Sequence, residues 1–502
     1  MSGPFDLALL IGASVLLVAV AAVRLSTRLG LPSLLVYLAL GMALGEAGLG
    51  IRFDDAELAR TLGIAALIVI IAEGGLTARW STLKPVLPLA TTLATVGVAA
   101  SVVVVAAVAH LALGIDWQLA LLYGAVLSPT DAAAVFSTLR RIRLRPRLAA
   151  ALEAESGLND ASVVLLVVLL STGALLDRPA GVQVLVVGYE LVAGGIVGGV
   201  VGALGAWTLR RAALPASGLY PLAVVGLTVL AYAAGTVLQS SGFLAVYVAG
   251  VILGNVRLPH RRAVLGFADG LAWTSQIGLF VLLGLLVSPG RLGSALLPAL
   301  AIGVTLALVA RPVSVWVSAL LSGTAFRLGW RGQAFLSWAG LRGAVPIVLA
   351  TIPLSTGFAG GHELFDVVFV LVVLFTLLQG TTLPWLARRL RVIVPVQPTE
   401  IRVESAPLEE AGADLLHLEV PDDSRLVGVY VDDLRLPAGA VVTLVSRDRA
   451  RFVPQTHTRL RAGDSLLIVA TADCRDEAER RLRAVSRDGR LERWKRRTGG
   501  GA

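Results

Sequence analysis

Thirteen apolar runs leave this 502-residue chain few possible folds. They fall at about 5–24, 32–50, 60–78, 86–113, 117–138, 147–176, 181–208, 218–238, 242–256, 264–288, 294–322, 333–353 and 364–387. A bilayer core about 30 Å thick is crossed by about 20 apolar residues in a helix. Only 15% of the chain is charged and 56% is hydrophobic, with a mean hydropathy of +0.80. A soluble protein carries more charge, so the expected fold is an all-α polytopic membrane protein of 13 transmembrane helices.

Charge placement supplies an orientation. Loops assigned to one side carry Arg24 and Arg28, Arg79 and Lys84, five arginines between Arg140 and Arg147, Arg210 and Arg211, Arg257, Arg261 and Arg262, Arg327 and Arg331, and Arg388, Arg389 and Arg391. The opposite loops carry only Arg52, Arg60, Arg178 and Arg291. Basic residues gather on the cytoplasmic side, which predicts N-terminus outside and C-terminus inside. The net charge of +9 therefore reads as topology, with no nucleic-acid partner. No basic residue precedes the first run, so it reads as a retained helix, not a cleaved signal. The single cysteine, Cys474, permits no intrachain disulfide and suits a reducing cytosol.

Two spans are interrupted, the fifth at Gly124-Ala-Val-Leu-Ser-Pro-Thr-Asp131 and the twelfth at Trp338-Ala-Gly-Leu-Arg-Gly-Ala-Val-Pro346. Broken helices at corresponding places in two halves point to an inverted-repeat transporter with its site at the breaks. Spans 1–6 and 8–13 are the expected repeats, with two discontinuous helices, spans 5 and 12.

The sixth span holds Glu153-Ala-Glu-Ser-Gly-Leu-Asn-Asp160. Ionisable groups within a span face a bundle interior or a water-filled cavity and mark ion paths. Asp160 lies 13 residues beyond Arg147, or roughly 20 Å into the membrane. Ser156 and Asp160 share a helical face as i and i+4, with Glu155 and Asn159 on the next stripe. Asp160, Ser156, the Thr130 hydroxyl and free carbonyls near Ser128–Thr130 offer hard oxygen ligands, which suit an alkali ion. Asp131 can cap a half-helix end.

An embedded carboxylate takes a proton when empty and favours its charged form when a cation arrives. The two compete for one group, which under alternating access is antiport. Asn159 adds no proton, so exchange is expected to be one for one. Glu155 and Arg342 are the expected buried ion pair, because an unpaired charge there is strongly destabilising. Arg311 reads as a pairing or helix-end residue. For Glu73 the residues alone leave open a ligand, an acceptor behind the ligands, or an interface group. His110, His260 and His362 read as interface residues at span ends.

From about Pro395 the chain turns polar. Period-two runs at 415–420, 441–445 and 465–469, with amphipathic helices expected at 426–434 and 473–485, predict a small cytosolic α+β domain. The expected division is 1–392 in the membrane, a linker, 400–488 in the cytosolic domain, and a basic, disordered tail at 489–502.

Three segments in order, Ser128-Pro-Thr-Asp-Ala-Ala-Ala-Val-Phe136, Glu153–Asp160 and Gly340-Leu-Arg-Gly-Ala-Val-Pro346, resemble the signatures of NhaP-type cation/proton antiporters. These form the electroneutral branch of the sodium/proton exchanger superfamily. The resemblance implies a homodimer of 13-span protomers in the bacterial inner membrane, working by an elevator-like motion. It implies that Asp160, Ser156, Thr130 and Glu73 surround the cation, with Asn159 and a Glu155–Arg342 pair in support. Ala161 stands where the family usually has proline, so less bending is expected there.

The tail resembles the TrkA-C (RCK-C) regulatory domain through Leu426-Val-Gly428, Val445-Ser-Arg-Asp448 and Thr458-x-Leu-x-x-Gly-Asp464. That implies dimerisation and a small regulatory ligand, in some relatives a cyclic dinucleotide. Together the two resemblances favour exchange of K⁺ for H⁺, with no bound cofactor. Sodium is the alternative ion. A potassium channel gated by the tail would need a carbonyl-lined filter such as Thr-Val-Gly-Tyr-Gly, and the chain has none. A non-transporting sensor leaves the embedded carboxylate unexplained.

Overall fold

A computed structural model describes residues 4–488 except 30–31, 47, 52, 132–134, 136–138, 140–143, 174–178, 395–402, 409–412, 423, 449 and 472. The expected linker and the basic tail at 489–502 lie outside the described residues. The chain divides into two compact units, Met1–Val394 and Pro395–Ala502.

The first unit is helical. Among the described residues, eight helices are long and apolar enough to cross a membrane: Ala56–Thr77, Leu87–Leu113, Pro146–Ser171, Gly181–Arg211, Leu219–Val237, Arg261–Leu285, Pro289–Leu321 and Gly361–Arg389. Shorter apolar helices occupy Leu10–Val23, Ser33–Leu44, Trp117–Leu127, Gly242–Asn255 and Ala344–Ser355.

Local chemistry explains several ends. Asp55 accepts from the Leu58 N–H at 2.9 Å and Asp116 from the Gln118 N–H at 2.9 Å, each satisfying an orphan donor of a first turn. Pro146 opens its helix at a position where no N–H is needed.

Two of the long helices contain a π turn, at Leu93–Gly97 and at Leu306–Ala310. They pack together through hydroxyls: Ser318 donates to the Thr92 carbonyl and Thr92 to the Ser318 carbonyl, each at 3.2 Å. Elsewhere small residues bring backbones close, the usual way for helices to associate in lipid. A Cβ on Gly75 would lie 2.7 Å from the Tyr247 carbonyl oxygen, and one on Gly250 would lie 3.0 Å from that of Ala72.

The second unit holds a five-stranded antiparallel sheet in the order β1-β2-β5-β3-β4. Its strands are β1 Val403–Leu408, β2 Ala413–Glu419, β3 Ala440–Arg447, β4 Ala450–Phe452 and β5 Ser465–Thr471. Alternation buries Leu416 and Leu418 of β2 and Leu466, Ile468 and Ala470 of β5. The helix Arg475–Asp488 covers them with Ala478, Leu482 and Val485, which share one face.

The expected helix at 426–434 is a correction. That stretch is a run of turns ending in the 3₁₀ turn Asp432–Leu434. Gly428 has φ +86°, a conformation no α-helix contains, and its N–H bonds the Leu460 carbonyl at 2.8 Å. The apolar spacing of Leu426, Val429 and Leu434 serves the sheet's core from those turns.

Candidate functional site

The carboxylate-rich stretch lies near the middle of the continuous helix Pro146–Ser171, which passes through Ala161 without interruption. Asp160 and Asn159 are buried, at 5% and 1% exposure. The side-chain amide of Asn159 donates to the Thr130 hydroxyl at 3.0 Å, which fixes the stripe beside Asp160 against residues 128–131. Ser128 and Thr130 are also buried, and the Ser128 hydroxyl donates to the Ala125 carbonyl at 2.8 Å.

Residues 128–131 follow the helix Trp117–Leu127 and are not helical. Neither are residues 340–343, between Ala325–Trp338 and Ala344–Ser355. The two irregular stretches meet. The Asp131 N–H donates to the Leu341 carbonyl at 2.8 Å, and Arg342 Nε donates to the Leu127 carbonyl at 2.9 Å. Arg342 also donates through Nη1 to the Gly340 carbonyl, and its own carbonyl accepts from Thr376 Oγ1 at 2.8 Å. Backbone freed by the breaks is thus satisfied by neighbours, as irregular backbone at membrane depth requires. Glycine at both ends of the second stretch leaves room for charged side chains. A Cβ on Gly343 would collide with the Asp131 carboxylate, and one on Gly340 would lie 2.7 Å from both Arg311 Nε and Arg342 Nη1.

The expected pairing of Glu155 with Arg342 is a correction. Glu155 pairs instead with Arg311, whose Nη1 and Nη2 reach Oε1 and Oε2 at 2.6 and 3.3 Å. Arg311 follows the π turn Leu306–Ala310 and also donates to the Leu336 carbonyl at 3.3 Å. Arg342 is held mainly by carbonyl dipoles, the arrangement open to a cation at crossing helix ends.

A cavity of about 300 Å³ adjoins this crossing. Asp160, Ser156, Glu73 and Asp131 line it together. Thr130, Asn159, Glu155 and the two arginines are not among the lining residues. Asp160 Oδ1 and Asn159 Oδ1 are buried with no hydrogen-bond partner among the described residues. Such atoms are rare in native interiors and call for an explanation. The oxygen donors that line the cavity are of the kind an alkali ion takes. The sequence reading passed over Glu153, Tyr247 and Gln276, which line the same cavity. For Glu153 the signal was available, since it stands seven residues before Asp160 and so on nearly the same face.

Comparison with known proteins gives concordant results. The family model for the transmembrane sodium/hydrogen exchanger matches residues 13–389, and that for the TrkA-C domain matches residues 415–483. The chain is 38% identical over 472 residues to a K⁺/H⁺ antiporter NhaP of Alkalimonas amylolytica, covering 92% of this chain and 81% of that one. A K⁺/H⁺ antiporter NhaP2 of Shewanella baltica is 37% identical over 466 residues, covering 92% and 80%. Among solved structures, the sodium proton antiporter MjNhaP1 of Methanocaldococcus jannaschii superposes with a TM-score of 0.66 at 20% identity. That match covers 77% of this chain and 99% of the other, and shows a shared fold. On the strength of its membrane unit, the chain belongs to the sodium/hydrogen exchanger family.

Proposed function

We propose that this protein is a monovalent cation/proton antiporter of the bacterial plasma membrane, exchanging K⁺ for H⁺ one for one at Asp160. The observation that carries this reading is the buried Oδ1 of Asp160, which has no hydrogen-bond partner among the described residues and belongs to a residue lining a cavity of about 300 Å³. In a low-dielectric bundle a carboxylate is stabilised by whichever positive partner is available. A proton and a cation therefore exclude each other, and alternating exposure of the site couples their movements. Ser156, Thr130 and Glu73 complete the oxygen set, with Asn159 and Asp131 in support. The Arg311–Glu155 pair and Arg342 brace the crossing.

In this reading the five shorter apolar helices also cross, giving thirteen spans in two inverted repeats. The π turns at 93–97 and 306–310 support the repeat, because they fall in the fourth and eleventh spans, seven apart like the breaks. Hydrogen bonds between two arginine-rich loops support their assignment to one side of the membrane, the side that the N-out, C-in reading makes cytoplasmic. Arg145 donates its N–H to the Val392 carbonyl and its Nη2 to the Arg391 carbonyl, each at 3.0 Å, so those loops share a side. The protein works as a homodimer by an elevator-like motion, with the tail domain as a ligand-responsive regulator.

Potassium is favoured by the relatives named K⁺/H⁺ antiporters across 92% of the chain. Sodium is the second reading, since a Na⁺/H⁺ antiporter NhaS2 of Synechocystis is 29% identical over 63% of the chain. Proteoliposomes with a preset pH gradient, challenged with K⁺ and then Na⁺ at clamped potential, test both. Dissipation by K⁺ that Asp160→Asn abolishes is the expected result. Exchange that persists in Asp160→Asn places the site elsewhere.

A further inference from the structure

Each of the two irregular stretches is held by a side chain from the next long helix along the chain. For residues 128–131 it is the Asn159 amide of the helix Pro146–Ser171, which donates to the Thr130 hydroxyl at 3.0 Å. For residues 340–343 it is the Thr376 hydroxyl of the helix Gly361–Arg389, which donates to the Arg342 carbonyl at 2.8 Å. Asn159 stands 13 residues past Pro146 and Thr376 stands 15 past Gly361, so each lies about 20 Å along its helix. On the reading of two inverted repeats these helices are spans 6 and 13, seven apart like the stretches they hold. Thr376 then occupies in the second repeat the place that the Asn159–Asp160 pair occupies in the first.

The surroundings fix the Thr376 hydroxyl and connect it to the cavity. Thr376 is buried, at 1% exposure. One residue before it, the ring of Phe375 seats where a Cβ on Gly303 would stand. Six residues after it, Thr382 accepts from Trp338 Nε1 at 3.0 Å. The helix therefore grips the chain both before the second stretch and within it. Arg342 lies between the two residues that meet Asp131. The Leu341 carbonyl accepts the Asp131 N–H at 2.8 Å, and Gly343 leaves the space that the Asp131 carboxylate fills. Asp131 in turn lines the cavity with Asp160. A carbonyl unpaired at membrane depth is costly, so without the hydroxyl the Arg342 carbonyl turns to another partner and carries Leu341 and Gly343 with it.

We propose that Thr376 is a positioning residue for cation binding, whose hydroxyl holds residues 340–343 in the arrangement that sets Asp131 at the cavity with Asp160. The proposal rests on the antiporter reading for its purpose. Without the hydroxyl the arrangement competent to bind is populated for a fraction of the time, which raises the apparent half-saturation by the inverse of that fraction. The loss of one buried hydrogen bond makes this about three- to tenfold. Saturating cation selects the competent arrangement again, so the maximal rate changes little. A merely structural role acts the other way. It lowers the amount of active protein, and so the maximal rate, and leaves half-saturation unchanged.

Two measurements on the purified full-length protein test it. In proteoliposomes, Thr376→Val raises the cation concentration for half-maximal exchange about three- to tenfold, while the maximal rate stays within about twofold of wild type. Thr376→Ser, which keeps the hydroxyl, stays within about twofold on both counts. Thr381→Val, which removes an exposed hydroxyl bonded within its own helix, is the control and matches wild type. If Thr376→Val does not fold, Thr376→Ala removes the same bond and carries the same test. In detergent, radioactive rubidium binds Thr376→Val more weakly by the same factor, with the number of sites unchanged. Unchanged half-saturation in Thr376→Val overturns the proposal, as does a loss confined to the maximal rate. So does a Thr376→Ser protein as impaired as Thr376→Val. A wild-type protein that exchanges neither K⁺ nor Na⁺, yet binds rubidium with an affinity that Thr376→Val lowers, refutes antiport and leaves the positioning role standing. A wild type that neither exchanges nor binds overturns both.

Discussion

Arg311 grips Glu155 with both ends of its guanidinium, at 2.6 and 3.3 Å, and the two side chains are 3% and 1% exposed. Breaking such a pair leaves a buried charge uncompensated, which costs about 3–5 kcal/mol. Arg311→Ala should therefore lower the thermal stability of the detergent-solubilised protein sharply. The double replacement Arg311→Met with Glu155→Leu should recover most of the loss, because it buries no charge. A double variant no more stable than Arg311→Ala would show that the pair does not carry that stability.

Gly343 admits the Asp131 carboxylate where a methyl group would stand. Gly343→Ala should displace one irregular stretch from the other and reduce exchange by about tenfold or more, since small misplacements at a site are amplified in rate. Gly278→Ala, where nothing lies within 4 Å of the new methyl, is the control and should leave exchange near wild type. Full exchange in Gly343→Ala would mean that the crossing tolerates rearrangement.

In the second unit Asp464 is wholly buried, and Arg447 clasps both its oxygens at 2.7 Å while the Arg461 N–H donates to Oδ2 at 2.7 Å. Burial alone would raise its pKa, but the Arg447 and Arg461 hydrogen bonds outweigh that and hold the carboxyl below its ordinary range. A depressed folded-state pKa gives stability that is complete above the unfolded value and is lost as pH falls through the folded one. Asp464→Asn should therefore cost about 1.5–3 kcal/mol at neutral pH. The difference from wild type should shrink below about pH 4. Hydrogen exchange of the β3 and β5 amides would read it. A difference constant down to pH 2 would contradict the assignment.

Removing residues 400–502 takes away the second compact unit and none of the residues lining the cavity. The truncated protein should keep basal exchange and lose its response to regulatory ligands. Loss of all exchange in a folded truncation would contradict a purely regulatory tail.

The sequence made some of this site legible and concealed other parts. Asp160 and Ser156 could be placed together because helical spacing is rigid and an embedded carboxylate needs a polar surrounding. The choice of Arg342 over Arg311 as partner of Glu155 went wrong because both arginines are embedded and nothing local distinguishes them. Arg311 wins through a π turn and a helix–helix contact invisible in one-dimensional spacing. In the tail, the alternating central strands were expected, but the edge strands β1 and β4 were not. β1 carries Pro407 and β4 is three residues long, and edge strands show the weakest pattern.

The central claim is that proton and cation compete for Asp160. The measurement that tests it most directly is the K⁺ concentration for half-maximal exchange, taken across a series of pH values in proteoliposomes at clamped potential. One-for-one competition predicts that, on the acidic side, this concentration rises about tenfold for each unit the pH falls, with the maximal rate unchanged. A half-saturation that stays constant while the maximal rate falls would contradict the account, because proton and cation would then be acting at different groups.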